Sequence, residues 1–74
     1  MDKESLLERL EHAREGASTA NLESVIQSML INQLEKEGRE TEEAQIQLAS
    51  WKMEEQKHLR EMDWILDRLE ELAP

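Results

Sequence analysis

The chain has 74 residues, which allows one small domain whose core is marginal without a disulfide, a metal ion or a partner, so a self-sufficient enzyme is not expected. Cysteine is absent, which excludes disulfides and thiolate metal sites. Eighteen acidic against nine basic residues give a net charge of −9, a charge that repels nucleic acid and anionic membrane surfaces.

The N-terminal segment is predicted to form a short helix over residues 5–15. Ser5-Leu6-Leu7-Glu8 has the form of a capping box, in which the serine hydroxyl and the glutamate carboxylate satisfy exposed backbone amides. The apolar residues that share one face here are Leu6, Leu10, Ala13 and Ala17. Gly16 opens a run of small and polar residues that favours turns, so we expect a break at residues 16–21.

A second helix is predicted over residues 20–37. At about 100° per residue, its apolar residues point away from the direction of the first set, which supports the break. The residues expected to fill the contact with a neighbouring helix are Leu22, Val25, Ile26 and Met29. Those expected to extend beyond that contact are Leu30, Ile31 and Leu34. Two helices cannot cover so wide an apolar surface between themselves, so we expect another segment, a second copy or another protein to cover the rest.

The clearest turn signal lies between residues 37 and 42. Gly38 suits the left-handed residue just past a helix end, and Thr41 suits the N-cap of the next helix. Glu42 and Glu43 would then occupy the positive first turn of that helix. So short a connection joins two antiparallel packed helices, and the predicted fold is an all-α helical hairpin of two long helices with a short N-terminal helical segment, in a single domain.

The closing helix is predicted over residues 41–72. The stretch QIQLASWKM, residues 45–53, alternates in a way that also fits a strand, but no turn signal bounds it and its flanking residues favour helix. Residues spaced alternately by four and three indicate one face packed on another helix. They are Ala44, Leu48, Trp51, Glu55, His58, Met62, Ile65, Leu69 and Leu72.

Three apolar residues of this helix are left on its opposite face. Ile46, Met53 and Trp64 lie seven and eleven residues apart, so they fall within about 20° of one another. They are either ordinary isolated surface residues or a stripe that binds a partner, and tryptophan favours the second interpretation because it is common at interfaces. The predicted partner-binding residues of the whole chain are Ile26, Leu30, Leu34, Ile46, Met53 and Trp64.

No residue pattern predicts catalysis or a cofactor. Glu55 and His58 form one Glu-x-x-H motif of the kind that di-metal helix bundles use, but glutamate is so common here that a polar layer in the helix contact explains it. Glu8 and His12 have no third ligand nearby and are expected to form a helix-surface pair. We expect no enzyme activity, no metal and no cofactor.

The order of elements resembles the small E-component co-chaperones of type III secretion needles. The features that carry the resemblance are a leading LLERLEHAREGA, a loosened stretch after it, a helix ending in LEKEG, a tight turn and a long helix ending in WILDRLEEL. The resemblance implies a cytoplasmic protein that binds a larger chaperone of tetratricopeptide-like helices, and the pair then keeps the needle subunit soluble and unpolymerised. It transfers no individual functional residue, because the family has no catalytic motif to align.

Two other functions fit the same residues. Two hairpins could associate as a symmetric four-helix bundle, so the free protein is expected to form a homodimer in that case. Alternatively, a small acidic phage or plasmid inhibitor could block a host protein by imitating the charge of nucleic acid. The absence of a basic and apolar leader or of a long apolar run leads us to expect a cytoplasmic location and no membrane span.

Overall fold

Two long antiparallel helices make up the fold in a computed structural model, which describes residues 2–73. Helix α1 spans Lys3–Lys36 and helix α2 spans Glu42–Leu72. They form a rod with extents of 59 × 14 × 13 Å. Side chains join the helices in antiparallel order, since Arg9 contacts Glu61 while Asn21 lies closer to the turn and donates to Glu55. The prediction of an all-α hairpin is confirmed.

Helix α1 is continuous, so the predicted break at residues 16–21, and with it the division into helices 5–15 and 20–37, is wrong. Its contact with α2, which we call the seam, follows a regular alternation of four and three residues. The α1 residues at these positions are Leu6, Leu10, Ala13, Ala17, Ala20, Ser24, Gln27, Ile31 and Leu34. Small residues in the middle of this series reflect close packing against α2 rather than a turn.

Gly16 lies inside α1 for a reason that involves the other helix. A Cβ added at Gly16 would lie 2.5–2.7 Å from three ring atoms of His58. The imidazole therefore occupies the space next to the α1 backbone that any larger residue would fill. The glycine makes room for a side chain of α2 and does not end a helix.

The start of α1 is capped by Asp2 and not by the predicted Ser5 box. The Asp2 carboxylate accepts a hydrogen bond of 2.8 Å from the backbone N–H of Ser5, which is one of the first amides without a partner inside the helix. This hydrogen bond from the Ser5 backbone lowers the pKa of Asp2 below its ordinary value. Helix α1 consequently begins two residues earlier than the sequence pattern indicates.

The turn has the predicted geometry. Gly38 has φ of 68°, its N–H donates to Glu35, and the N–H of Arg39 donates to Leu34, which together form a Schellman motif. Thr41 is the N-cap of α2, as predicted, but its hydroxyl accepts from the Gln45 side chain and caps no backbone amide. These local signals fix where α1 ends and α2 begins.

The seam of α2 lies where its spacing predicts. Ile65 and Ala44 are buried, and most other seam positions are half-buried, whereas Leu72 at the open end is exposed. The buried apolar residues of both helices are few: Leu6, Ala13, Ala17, Ala20, Ala44 and Ile65. Four of the six are alanines, so the hairpin buries little large apolar volume of its own.

Candidate protein-binding faces

The outer face of α1 carries an apolar stripe directed away from α2. Leu22, Val25, Ile26 and Met29 are all exposed, and we call them the α1 outer stripe. At about 100° per residue their mean direction lies about 180° from the local seam. The prediction that these residues fill the helix contact is therefore wrong. Ile31 and Leu34, expected to lie outside the contact, are half-buried at seam positions instead.

The segment of α1 that carries the stripe is almost free of charge. Residues 16–34 contain one charged residue, Glu23, although 36% of the whole chain is charged. Met29, at the centre of the outer face, is 65% exposed. Depletion of charge around exposed large apolar side chains is the composition that distinguishes the centre of a protein interface from ordinary surface.

The outer face of α2 carries a second, smaller apolar surface. Ile46 and Met53 are exposed, Met53 by 70%, and we call these two residues the α2 outer pair. Both belong to the half of α2 nearest the turn, and the α1 outer stripe belongs to the corresponding half of α1. The turn half of the hairpin thus presents apolar side chains on both of its outer faces.

Trp64 has a different setting from the α2 outer pair. Trp64 is 43% exposed, and its ring lies beside two guanidinium groups. The guanidinium carbon of Arg9 on α1 lies 4.9 Å from the ring centroid, and that of Arg68 lies 5.3 Å from it. Such stacking is favourable because the ring face attracts cations. Trp64 therefore lies toward one flank of the hairpin, where α1 partly covers it, and not in line with Ile46 and Met53.

The six predicted partner-binding residues do not form one continuous surface. Ile26 belongs to the α1 outer stripe, Leu30 is exposed beside it, and Leu34 is half-buried in the seam. Sequence reasoning missed the outward direction of Leu22 and Met29. The sequence shows that these residues share one face of α1. It does not show that this face points away from α2, because that depends on which face of α1 meets α2.

A groove of about 320 Å³ lies between the helices nearer their open end. It is lined by Arg9, His12, Ala13, Lys57, His58 and Glu61. The Nε2 atom of His58 lies 3.7 Å from a carboxylate oxygen of Glu54, while Glu55 accepts a hydrogen bond of 3.0 Å from Asn21. Within residues 2–73 no group of three or more His, Asp or Glu side chains is placed to hold a metal ion.

Comparisons with known proteins do not extend this picture. No protein-family model, curated protein sequence or solved structure matches the chain. Across the part of the chain that the structure describes, neither helix has a stretch apolar and long enough to cross a membrane. The two outer apolar faces are therefore the features of the hairpin that bear on its function.

Proposed function

We propose that the chain is a small non-catalytic co-chaperone that binds a larger chaperone of tetratricopeptide-like helices and, with it, keeps a type III secretion needle subunit soluble and unpolymerised. The observation that carries the proposal is the exposure of large apolar side chains on the outer faces of both helices. The resemblance of the order of sequence segments to that of the E-component co-chaperones supplies the class of partner.

The weak core of the hairpin supports a function in binding. Leu6 and Ile65 are the largest fully buried side chains, and the buried Oε1 atom of Gln27 has no hydrogen-bond partner among the described residues. A buried polar atom without a partner costs about 1–3 kcal/mol. A protein that covers the outer faces stabilises the folded hairpin by mass action, so complex formation and folding reinforce each other.

We assign the chaperone to the α2 outer pair and, farther along α2 on its flank, to Trp64. Each large apolar side chain that becomes fully buried contributes roughly 1.5–3 kcal/mol before the cost of ordering. Ile46, Met53 and Trp64 together contribute at most roughly 4.5–9 kcal/mol before that cost. Apolar docking of this kind depends little on salt, whereas an acidic inhibitor that imitates nucleic acid would lose its target steeply as salt rises.

Co-purification tests the proposal. The genes beside that of this chain are expected to encode a helical-repeat chaperone and a small needle-type subunit, and the three proteins are expected to purify as one complex. Met53→Glu should weaken chaperone binding at least tenfold, because it places a charge in the apolar contact. Gln47→Glu adds the same charge to the same helix off the outer pair and serves as the control.

Two results would contradict the assignment. One is the absence of any complex among the three purified proteins. The other is an equal effect of Met53→Glu and Gln47→Glu, which would place the contact elsewhere.

Trp64→Ala adds a further comparison: it should weaken chaperone binding more than it lowers the stability of the hairpin, since 43% of Trp64 is exposed.

A further inference from the structure

We infer that the free protein is a homodimer in which the α1 helices of two copies pack antiparallel through their outer stripes, about a two-fold axis between Val25 and Ile26. The inference goes beyond the proposed function, because it names a second copy of this chain as the occupant of the α1 outer stripe. It leaves the α2 outer pair available to the chaperone.

Four residues at seven-residue intervals define the centre of the outer face of α1. They are Glu15, Leu22, Met29 and Lys36. Seven residues of an α-helix return to within about 20° of the same direction, so all four point away from α2. All four are exposed, and within residues 2–73 neither Glu15 nor Lys36 forms an ion pair.

The series on one copy is complementary to the same series on a second copy that runs in the opposite direction. In an antiparallel pair with the axis between Val25 and Ile26, Leu22 faces Met29 of the second copy, and Glu15 faces Lys36 of the second copy. Each contact occurs twice because the axis is two-fold. The positions between the central four also match, since Ser18 and Thr19 meet Asn32 and Gln33. Apolar residues therefore meet apolar ones, polar meet polar, and acid meets base.

Other arrangements of the same face are less favourable. A parallel pair in register places Glu15 against Glu15 and Lys36 against Lys36. An antiparallel pair shifted by seven residues places Glu15 against Met29, or Leu22 against Lys36. Charged residues that flank an apolar helix contact select orientation and register in this way. Of these arrangements, the charges favour the antiparallel register centred between Val25 and Ile26.

The acidity of the chain does not oppose this pairing strongly. Each copy carries a net charge of −9, but the central part of the contact, residues 16–34, carries a single charge. That charge, Glu23, is half-buried and lies about 110° from the centre of the outer face. Most acidic residues therefore remain in water, where salt screens them.

Disulfide cross-linking of single-cysteine variants tests the geometry. The chain has no cysteine, so Leu22→Cys and Met29→Cys each introduce the only thiol. In the proposed dimer, two copies of residue 22 lie about 10.5 Å apart along the helix axis, as do two copies of residue 29. A disulfide requires Cα atoms within about 7 Å. We expect rapid cross-linking when the two variants are mixed and slow cross-linking of either variant alone.

Sedimentation equilibrium over a dilution series provides the second measurement. Lys36→Glu should weaken the dimer about three- to tenfold by opposing Glu15, and the double variant Glu15→Lys/Lys36→Glu should restore it. Met29→Glu should weaken it on the order of 100-fold, because a charge replaces an apolar contact in both copies. All three positions are exposed, so the hairpin fold is expected to persist.

The outcomes separate this inference from the proposed function. A wild-type protein that is monomeric at every concentration, or single variants that cross-link as fast as the mixture, would overturn the antiparallel dimer. If the chaperone complex still forms in that case, the proposed function stands. If the mixed variants cross-link as expected but no chaperone complex forms, the dimer stands and the proposed function fails.

Discussion

At the scale of single residues, glycine is required at two positions for different reasons. Gly38 adopts φ of 68° at the end of α1, a conformation that other residues reach only at a cost of about 1 kcal/mol or more. Gly16 lies inside a regular helix, and its requirement comes from the His58 ring against its Cα. One glycine serves the backbone of the turn, and the other serves packing between the helices.

A double-mutant cycle tests the role of Gly16. Alanine is favoured over glycine inside a helix by about 1 kcal/mol. In a His58→Ala background we expect Gly16→Ala to stabilise the hairpin by about this amount. With His58 present, the added methyl group must displace the ring, so the gain should shrink or become a loss. Urea unfolding of the four proteins measures the coupling, and an equal effect of Gly16→Ala in both backgrounds would contradict the contact.

At the scale of the helices, the sequence predicted α2, the turn and the contact face of α1 as far as Ala17, but not the contact face of α1 beyond it. The α2 seam carries large apolar residues such as Leu48, Ile65 and Leu69, so its period is visible in the sequence. The turn was predictable because Gly38 and Thr41 act locally. In the middle of α1, from Ala13 to Gln27, the seam is built of small or polar residues. The larger apolar residues of that segment lie on the outer face, so hydrophobicity alone indicated the wrong contact face there.

The candidate binding faces, like the helix contact, were predictable from the sequence only in part. The outward direction of Ile46 and Met53 followed from the period of α2 alone. The position of Trp64 beside Arg9 did not, because it depends on the register between two helices, which the sequence pattern does not specify. The same limit applies to the α1 outer stripe. A rule that small residues at alternating four and three spacing mark a close helix contact would have identified the α1 seam.

Two truncations compare the inner and outer faces of α2. Ile65 is 0% exposed, so Ile65→Ala should lower the free energy of unfolding by about 2–5 kcal/mol. Met53 is 70% exposed, so Met53→Ala should change it by no more than about 0.5 kcal/mol. Chemical denaturation at low protein concentration measures both. A loss above 2 kcal/mol for Met53→Ala would show that Met53 belongs to the core of the free hairpin.

At the scale of the whole molecule, the hairpin is a thin acidic rod with more apolar surface than two helices can cover. The α1 outer stripe and the α2 outer pair lie on opposite faces of the same half of a rod 59 Å long. Pairing through α1 would give a row of four helices with α2 outermost in each copy. Such an assembly would cover the larger apolar face and still leave Ile46 and Met53 exposed for the proposed chaperone.

The methionine methyl groups provide the most direct test of this account. Met29 lies on the α1 outer face, Met53 on the α2 outer face, and Met62 is half-buried at the seam. A soluble paramagnetic agent speeds the NMR relaxation of methyl groups that it can reach. This effect is measured on the full chain in three samples: dilute protein, concentrated protein, and protein with the proposed chaperone added. We predict that Met29 and Met53 are accessible in the dilute sample, that concentration protects Met29 alone, and that the chaperone then protects Met53. Equal accessibility of Met29 and Met53 in all three samples, or protection of both in the dilute hairpin, would contradict the account.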